Sequence, residues 1–178
     1  VDPEIRMSYT TQFENRAAAT LSAQTVLLHH DLVPDAAFDA STLRYDWLTL
    51  GQKRLDLRAW DPATPILFDL RPGVALFLQV SATPGQGGAG GLDVLLEGLD
   101  PVTMQLPFDS RGILPPNRIS PEGEGELEWS IRAAPQHLEG DSLGVFAQIW
   151  FDLEPVILTN RWTNIVDVTP PLAQLDML

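Results

Sequence analysis

Short stretches in which apolar and polar residues alternate run along most of this chain, and they restrict its possible folds. In 126–132, Leu127, Trp129 and Ile131 share one face, and charged or hydroxyl side chains share the other. A period of two is the pattern of a β-strand with one buried face. The stretches 54–58, 74–80 and 143–153 repeat it, and 5–10, 92–96 and 156–168 are further strand candidates. The chain is therefore predicted to consist mainly of strands.

Proline and glycine separate these stretches. The chain has fifteen prolines and thirteen glycines, at a spacing typical of turns between short strands. About seven to nine strands with such turns predict an all-β fold, an antiparallel β-sandwich with Greek-key connections. An up-and-down barrel is the alternative. A parallel sheet is not expected, because regular helical crossovers are missing. The length fits one domain, 1–178, with 169–178 as a candidate linker.

Three segments do not show the simple strand pattern. The alanines of 14–30 favour a helix, whereas Leu21, Ala23 and Thr25 alternate as in a strand; we favour the strand because the neighbouring segments are strands. The glycine-rich loop 84–91 and the proline-rich stretch 109–125 are predicted to be exposed connections.

The residues on the inward-facing side of each predicted strand are expected to form the core. Its predicted members are Leu78, Trp129, Ile131, Val145 and Ile149.

Charge and cysteine content restrict the function. Twenty-four acidic against eleven basic residues give a net charge of −13, which repels phosphate backbones and argues against nucleic-acid binding. The same charge makes a protein partner with a basic surface, or an adjoining domain of the same polypeptide, the expected contact. The absence of cysteine excludes disulfides, thiolate catalysis and zinc–sulfur sites. No apolar run reaches the length of a membrane helix, so direct membrane insertion of this segment is not expected.

The sequence contains no recognisable catalytic or metal-binding motif. His29, His30 and Asp31 form the densest group of metal-ligand types, but neighbouring residues on a strand point to opposite faces, and His137 is distant in sequence. Loop 84–91 lacks the lysine of a phosphate loop, and no G-x-S-x-G occurs. The acid-rich loops 35–39 and 122–126 match no calcium-loop pattern. We therefore predict a non-enzymatic chain with no catalytic residue, metal or cofactor.

The five tryptophans supply the only candidate ligand surface. Trp129 and Trp162 are interpreted as core residues. Trp47, Trp60 and Trp150 are predicted to be partly exposed, and such rings could stack on sugars or anchor a protein partner.

The stretch 128–135, the turn 140–143 and the strand that ends at Ile149 and Trp150 together resemble the late strands of bacterial immunoglobulin-like modules. In that family an aromatic strand ends at a proline, crosses a polar glycine turn and returns as an apolar strand. The cysteine pair and tyrosine corner of the classical members are missing here. The resemblance implies a non-catalytic spacer or protein-interaction module of a larger bacterial protein, which is extracytoplasmic or membrane-associated. A carbohydrate-binding module and a hydrolase of unknown type are the alternatives.

Overall fold

The computed structural model describes residues 6–33, 38–84, 91–134 and 140–167. Within these ranges the chain forms eleven strands and no helix, which confirms the all-β prediction. The strands are β1 (Arg6–Glu14), β2 (Thr25–Val33), β3 (Phe38–Leu50), β4 (Lys53–Asp56), β5 (Ile66–Asp69), β6 (Phe77–Pro84), β7 (Gly91–Leu99), β8 (Glu124–Ala133), β9 (Ser142–Phe151), β10 (Ile157–Leu158) and β11 (Trp162–Ile165).

The strands form two antiparallel sheets. Sheet 1 has the order β1-β8-β3-β4, and sheet 2 has the order β10-β9-β2-β7-β6-β5, with β11 also paired to β9. Successive strands β1, β2 and β3 alternate between the sheets, so each sheet is completed by strands from late in the chain. Because the inner faces of both sheets contribute to one apolar cluster, the arrangement is that of a β-sandwich.

The alternation of the sequence explains the core. Along β1 every second residue is buried, from Met7 to Phe13, and along β2 the buried positions run from Val26 to Leu32. The five predicted core residues, which lie on β6, β8 and β9, are all buried, and Trp129 is only 1% exposed. Burial of an aromatic ring of this size removes a large apolar area from water and is a main source of stability.

Three predictions about the strands need correction. The described chain has more strands than the seven to nine expected. No strand was predicted at β3, whose two register shifts break the alternation, and β5, β10 and β11 have only two to four residues. In segment 14–30, only Glu14, the last residue of β1, and the residues from Thr25 onward are strand; 15–24 is irregular and has a single bridge, from Ala23 to Leu114. Segment 156–168 divides into β10 and β11 instead of forming one strand.

The stretch 109–125 is also less exposed than predicted. Ile113 and Leu114 are buried, and the side-chain amide of Gln24 donates to the carbonyls of Pro107 and Asp109 at 2.9 and 2.8 Å. Apolar residues between prolines can therefore anchor a connection that has no regular structure of its own.

Some predictions fall on residues outside the described ranges: most of loop 84–91, His137, and the candidate linker 169–178. In the described ranges, no helix combines the length and apolar character needed to span a bilayer.

Candidate functional site

A cleft of about 1110 Å³ lies between the two sheets on one side of the sandwich. Sheet 1 contributes β1 and the start of β8, and sheet 2 contributes β9, β10 and the segment up to Asn164. The Asn164 amide donates to the Tyr9 hydroxyl at 3.0 Å and so joins the two walls near the middle of β1. A recess of this size has the volume of a ligand or peptide site.

A polar group within the core forms the floor of the cleft. His30 on β2 is 1% exposed, and its Nε2 lies 2.8 Å from Thr11 Oγ1 on β1, which links sheet 2 to sheet 1. The indole N–H of Trp129 donates to the same Thr11 oxygen at 3.4 Å. Since an indole nitrogen can only donate, the Thr11 hydroxyl proton is available to His30, which then accepts as a neutral ring.

Burial keeps this imidazole neutral. Desolvation lowers the pKa of His30 from 6.5 to about 4, while the facing Leu92 backbone acts in the opposite direction with a smaller effect. Nδ1 has no hydrogen bond of good geometry in the described residues, so desolvation dominates the pKa of this ring. A neutral, desolvated ring without a carboxylate partner is a structural group and a poor general acid at neutral pH.

Exposed apolar side chains cover the wall opposite β1. Leu158 is 65% exposed and Trp162 is 60% exposed, beside the half-exposed Ile157. The prediction that Trp162 is a core residue was therefore wrong. The physical reason lies at Thr159, whose N–H bonds the Ala147 carbonyl while its Oγ1 accepts from the Ala147 N–H. The Thr159 hydroxyl oxygen thus accepts the hydrogen bond that a backbone carbonyl of a paired strand would accept from Ala147, and it separates β10 from β11 at that point.

The β1 side of the cleft is acidic. Glu14, Glu124 and Glu126 line it, and Arg16 is the only basic residue among the described lining residues. Hydrogen bonds from Ser120 and from Asn117 lower the pKa of Glu124, so this carboxylate is ionised at neutral pH. The Gln12 amide donates to Glu126 at 2.9 Å and orients it along the same strand face.

The three tryptophans predicted as a ligand surface lie on different elements. Trp47 is on β3 in sheet 1, Trp150 is on β9 in sheet 2, and Trp60 follows β4. All three are half-buried. None of the described aromatic pairs brings two of them together.

Two of these rings already have partners. The guanidinium groups of Arg54 and Arg58 lie 4.4 and 4.6 Å from the Trp47 ring centroid. Trp60 packs on Tyr45 at 5.1 Å and donates its N–H to the Thr64 carbonyl. A ligand-binding role for the tryptophans stays a prediction.

The adjacent histidines of β2 point to opposite faces of the strand, as strand geometry requires. His30 points into the core, whereas His29 lies on the other face of β2, with its Nδ1 2.6 Å from Asp93 and its Nε2 3.5 Å from Asp31. His29 is not among the residues that line the cleft. The described residues contain no group of three or more metal-ligand side chains able to hold an ion. The histidine–carboxylate pair therefore lies away from the described cleft.

Sequence reasoning missed the cleft and the buried imidazole. The signal for His30 was present, since it shares the phase of Val26, Leu28 and Leu32. The cleft could not be seen, because it depends on which strands lie at the sheet edges.

No family model matches this chain, and no curated protein or solved structure matches it either.

Proposed function

We propose that this chain is a non-catalytic, immunoglobulin-like module that binds a protein partner through the cleft beside β1. The observation that carries the proposal is the exposed apolar surface of 153–165. Six of the thirteen exposed large apolar side chains in the described residues fall in this short segment. Exposed apolar groups concentrated beside a recess are typical of interaction sites.

The strand order supports the immunoglobulin-like part of the proposal. In that family, strand E lies between B and D in one sheet, and strand C lies beside F in the other. Here β7 lies between β2 and β6, and β3 lies beside β8, with β4 in the place of C′. The departure is at the edges, where β9 and β1 occupy the places of A and G. The first and last long strands are thus exchanged between the sheets.

The acidic wall supports a partner with a basic surface. Opposite charges accelerate the encounter of two proteins, and apolar contacts then supply most of the affinity. A spacer needs neither an apolar wall nor a cleft, so these features favour interaction over a purely connecting role.

A random peptide library displayed on phage tests the proposal. The library is selected on the immobilised chain, and the enriched peptides are measured on Leu158→Ser and on Phe108→Ser. Phe108 is 97% exposed and does not line the cleft, so it is the matched control. We expect binding to be lost on Leu158→Ser and kept on Phe108→Ser. Failure to enrich any peptide, or equal loss on both variants, would contradict the proposal.

A further inference from the structure

Strand β1 has one side that no described strand occupies. It pairs with β8 only, in a continuous one-to-one register from Arg6 to Glu14. The Asn15 N–H bonds the Gly123 carbonyl, which extends this ladder, so odd-numbered residues direct their backbone groups toward β8. The even-numbered residues Ser8, Thr10, Gln12 and Glu14 therefore direct their N–H and C=O groups to the outer edge.

The other sheet edges are short or covered. In sheet 1 the opposite edge is β4, which has four residues and begins with Lys53 and Arg54. In sheet 2 one edge is the four-residue β5, and the outer side of β9 carries β10 and β11. Short strands, cationic side chains and covering segments are the usual protection against strand pairing.

Among the described residues, the β1 edge lacks these protections apart from Arg6, its first residue. From Met7 to Glu14 the strand has no cationic residue or proline, and its register with β8 shows no bulge. The edge also opens onto the cleft, which β1 lines along most of its length. A long, regular edge beside a recess is the arrangement that accepts an added strand.

We infer that β1 binds an extended segment of a partner protein, which is added to the sheet as an antiparallel or parallel strand. In this partner segment, apolar residues alternate with basic ones. The inference rests on the proposed function and specifies its mode. Because the Asn164–Tyr9 contact joins the walls at the middle of β1, the added strand occupies the edge from Thr10 to Glu14. Its inward side chains meet Leu158 and Trp162.

The outward side chains of the added strand face an acidic surface. They lie beside Gln12, Glu14 and Glu126, which share the outer face of β1 and β8. Alternating side chains therefore meet two chemically different surfaces, which is the reason for the apolar–basic alternation.

Charge also favours a separate, basic partner protein over the chain's own segments or a second copy as the occupant of this edge. The residues outside the described ranges, 1–5, 34–37, 85–90, 135–139 and 168–178, contain no lysine or arginine. A second copy of the chain brings a net charge of −13 to an acidic wall. Neither offers the complementary charge that a basic partner strand supplies.

The probe for this inference is a synthetic nine-residue peptide in which lysine or arginine alternates with valine. Two controls have the same sequence length: one carries N-methyl groups on alternate amides, and the other has glutamate at the basic positions. Binding is measured by calorimetry, and hydrogen exchange is followed at each β1 amide by NMR. We expect the amides of Thr10, Gln12 and Glu14 to exchange rapidly in the free chain and slowly with the peptide. N-methylation should weaken binding at least about tenfold, because it removes several backbone hydrogen bonds to the β1 edge at once.

Two substitutions at one position separate backbone from side-chain effects. Thr10→Pro removes an N–H directed at the outer edge and leaves the ladder with β8 intact, so folding should be retained and peptide binding lost. Thr10→Val keeps the N–H and should bind within about twofold of the parent. If Thr10→Pro does not fold, the N-methylated peptide on the unchanged chain provides the same test.

Three outcomes would overturn the inference. Slow exchange of the even-numbered amides in the free monomer would mean that the chain's own residues occupy the edge. Slow exchange that depends on protein concentration would indicate a second copy. Binding of the basic peptide without protection of these amides, or unaffected by N-methylation, would leave an interaction module that does not use strand addition. The phage experiment on Leu158→Ser tests whether the cleft binds peptides at all, independently of strand addition. Failure of the proposed function can therefore be distinguished from failure of this inference.

Discussion

Acidification should destabilise this protein through one buried side chain, the imidazole of His30. Burial holds its pKa at about 4 in the folded chain, against 6.5 in an exposed histidine. Below the higher value the unfolded chain binds a proton that the folded chain does not bind, so the free energy of unfolding falls as the pH falls. The loss proceeds from about pH 6.5 to about pH 4 and then stops, because below that both states are protonated.

The difference between the two pKa values of His30 determines how much unfolding free energy is lost. At about 1.4 kcal/mol per pKa unit, the full loss amounts to about 3 kcal/mol. The geometry gives the same direction, because a protonated ring can no longer accept from the Thr11 hydroxyl, which would have to turn its proton away from His30. The carboxylates of Asp56, Asp69 and Asp100 have a pKa lowered to about 2 by arginine partners. Their contribution is lost only at lower pH, and it falls outside this window.

Urea unfolding at intervals between about pH 7.5 and 4 measures this dependence. We expect the parent chain to lose stability across the window, and His30→Gln to show a much flatter profile, whatever its absolute stability. His29→Gln is the matched control, because its ring contacts Asp93 and Asp31 on the other face of β2. The reasoning is refuted if His30→Gln keeps the full slope, or if His29→Gln alone removes it.

Three further substitutions test the packing of the fold. Trp129→Ala should cost about 3–5 kcal/mol in thermal or urea unfolding because the ring is buried, whereas Trp47→Ala, at a half-buried ring, should cost clearly less; equal losses would contradict the core position of Trp129. Gly125→Ala should cost about 1–3 kcal/mol, since an added Cβ would lie 2.0 Å from a carbon of the Phe13 ring; an unchanged urea midpoint would show that the ring moves at no cost. Gln24→Ala should accelerate proteolysis within 100–123 and leave the core amides protected, because its amide holds the carbonyls of Pro107 and Asp109; an unchanged cleavage rate would show that Ile113 and Leu114 suffice as anchors.

Local patterns predicted most of the strands and five of the buried core residues, but they did not indicate β3 or β5. Leu127, Trp129 and Ile131 were recognisable because a strand with one buried face repeats every two residues, whatever it pairs with. The same rule failed for Trp162, because it assumes an unbroken strand, and Thr159 interrupts the ladder at Ala147. A side chain that takes the place of a backbone partner leaves no mark in the hydrophobic period.

The candidate site depends on information that local patterns do not contain. The free edge of β1 exists because β8 is its only described partner, and that pairing joins Tyr9 to Trp129 across most of the chain. A period of two identifies the buried face of a strand, but it does not say which strand lies beside it or whether a sheet ends there. For the same reason the exposed wall of 153–165 could be identified only after the sheet order was known.

The pairing of β1 with β8 also has a consequence for synthesis of the chain. β1 is made before the other described strands, yet its ladder partner is made only after more than a hundred further residues, and β2 waits equally long for β9. Strands β2, β6 and β7 can pair earlier, whereas the nascent chain carries β1 with both edges open. Such distant contacts slow folding and prolong the exposure of unpaired strands. A factor that shields β1 until β8 has been made would therefore reduce the exposure of its unpaired edges.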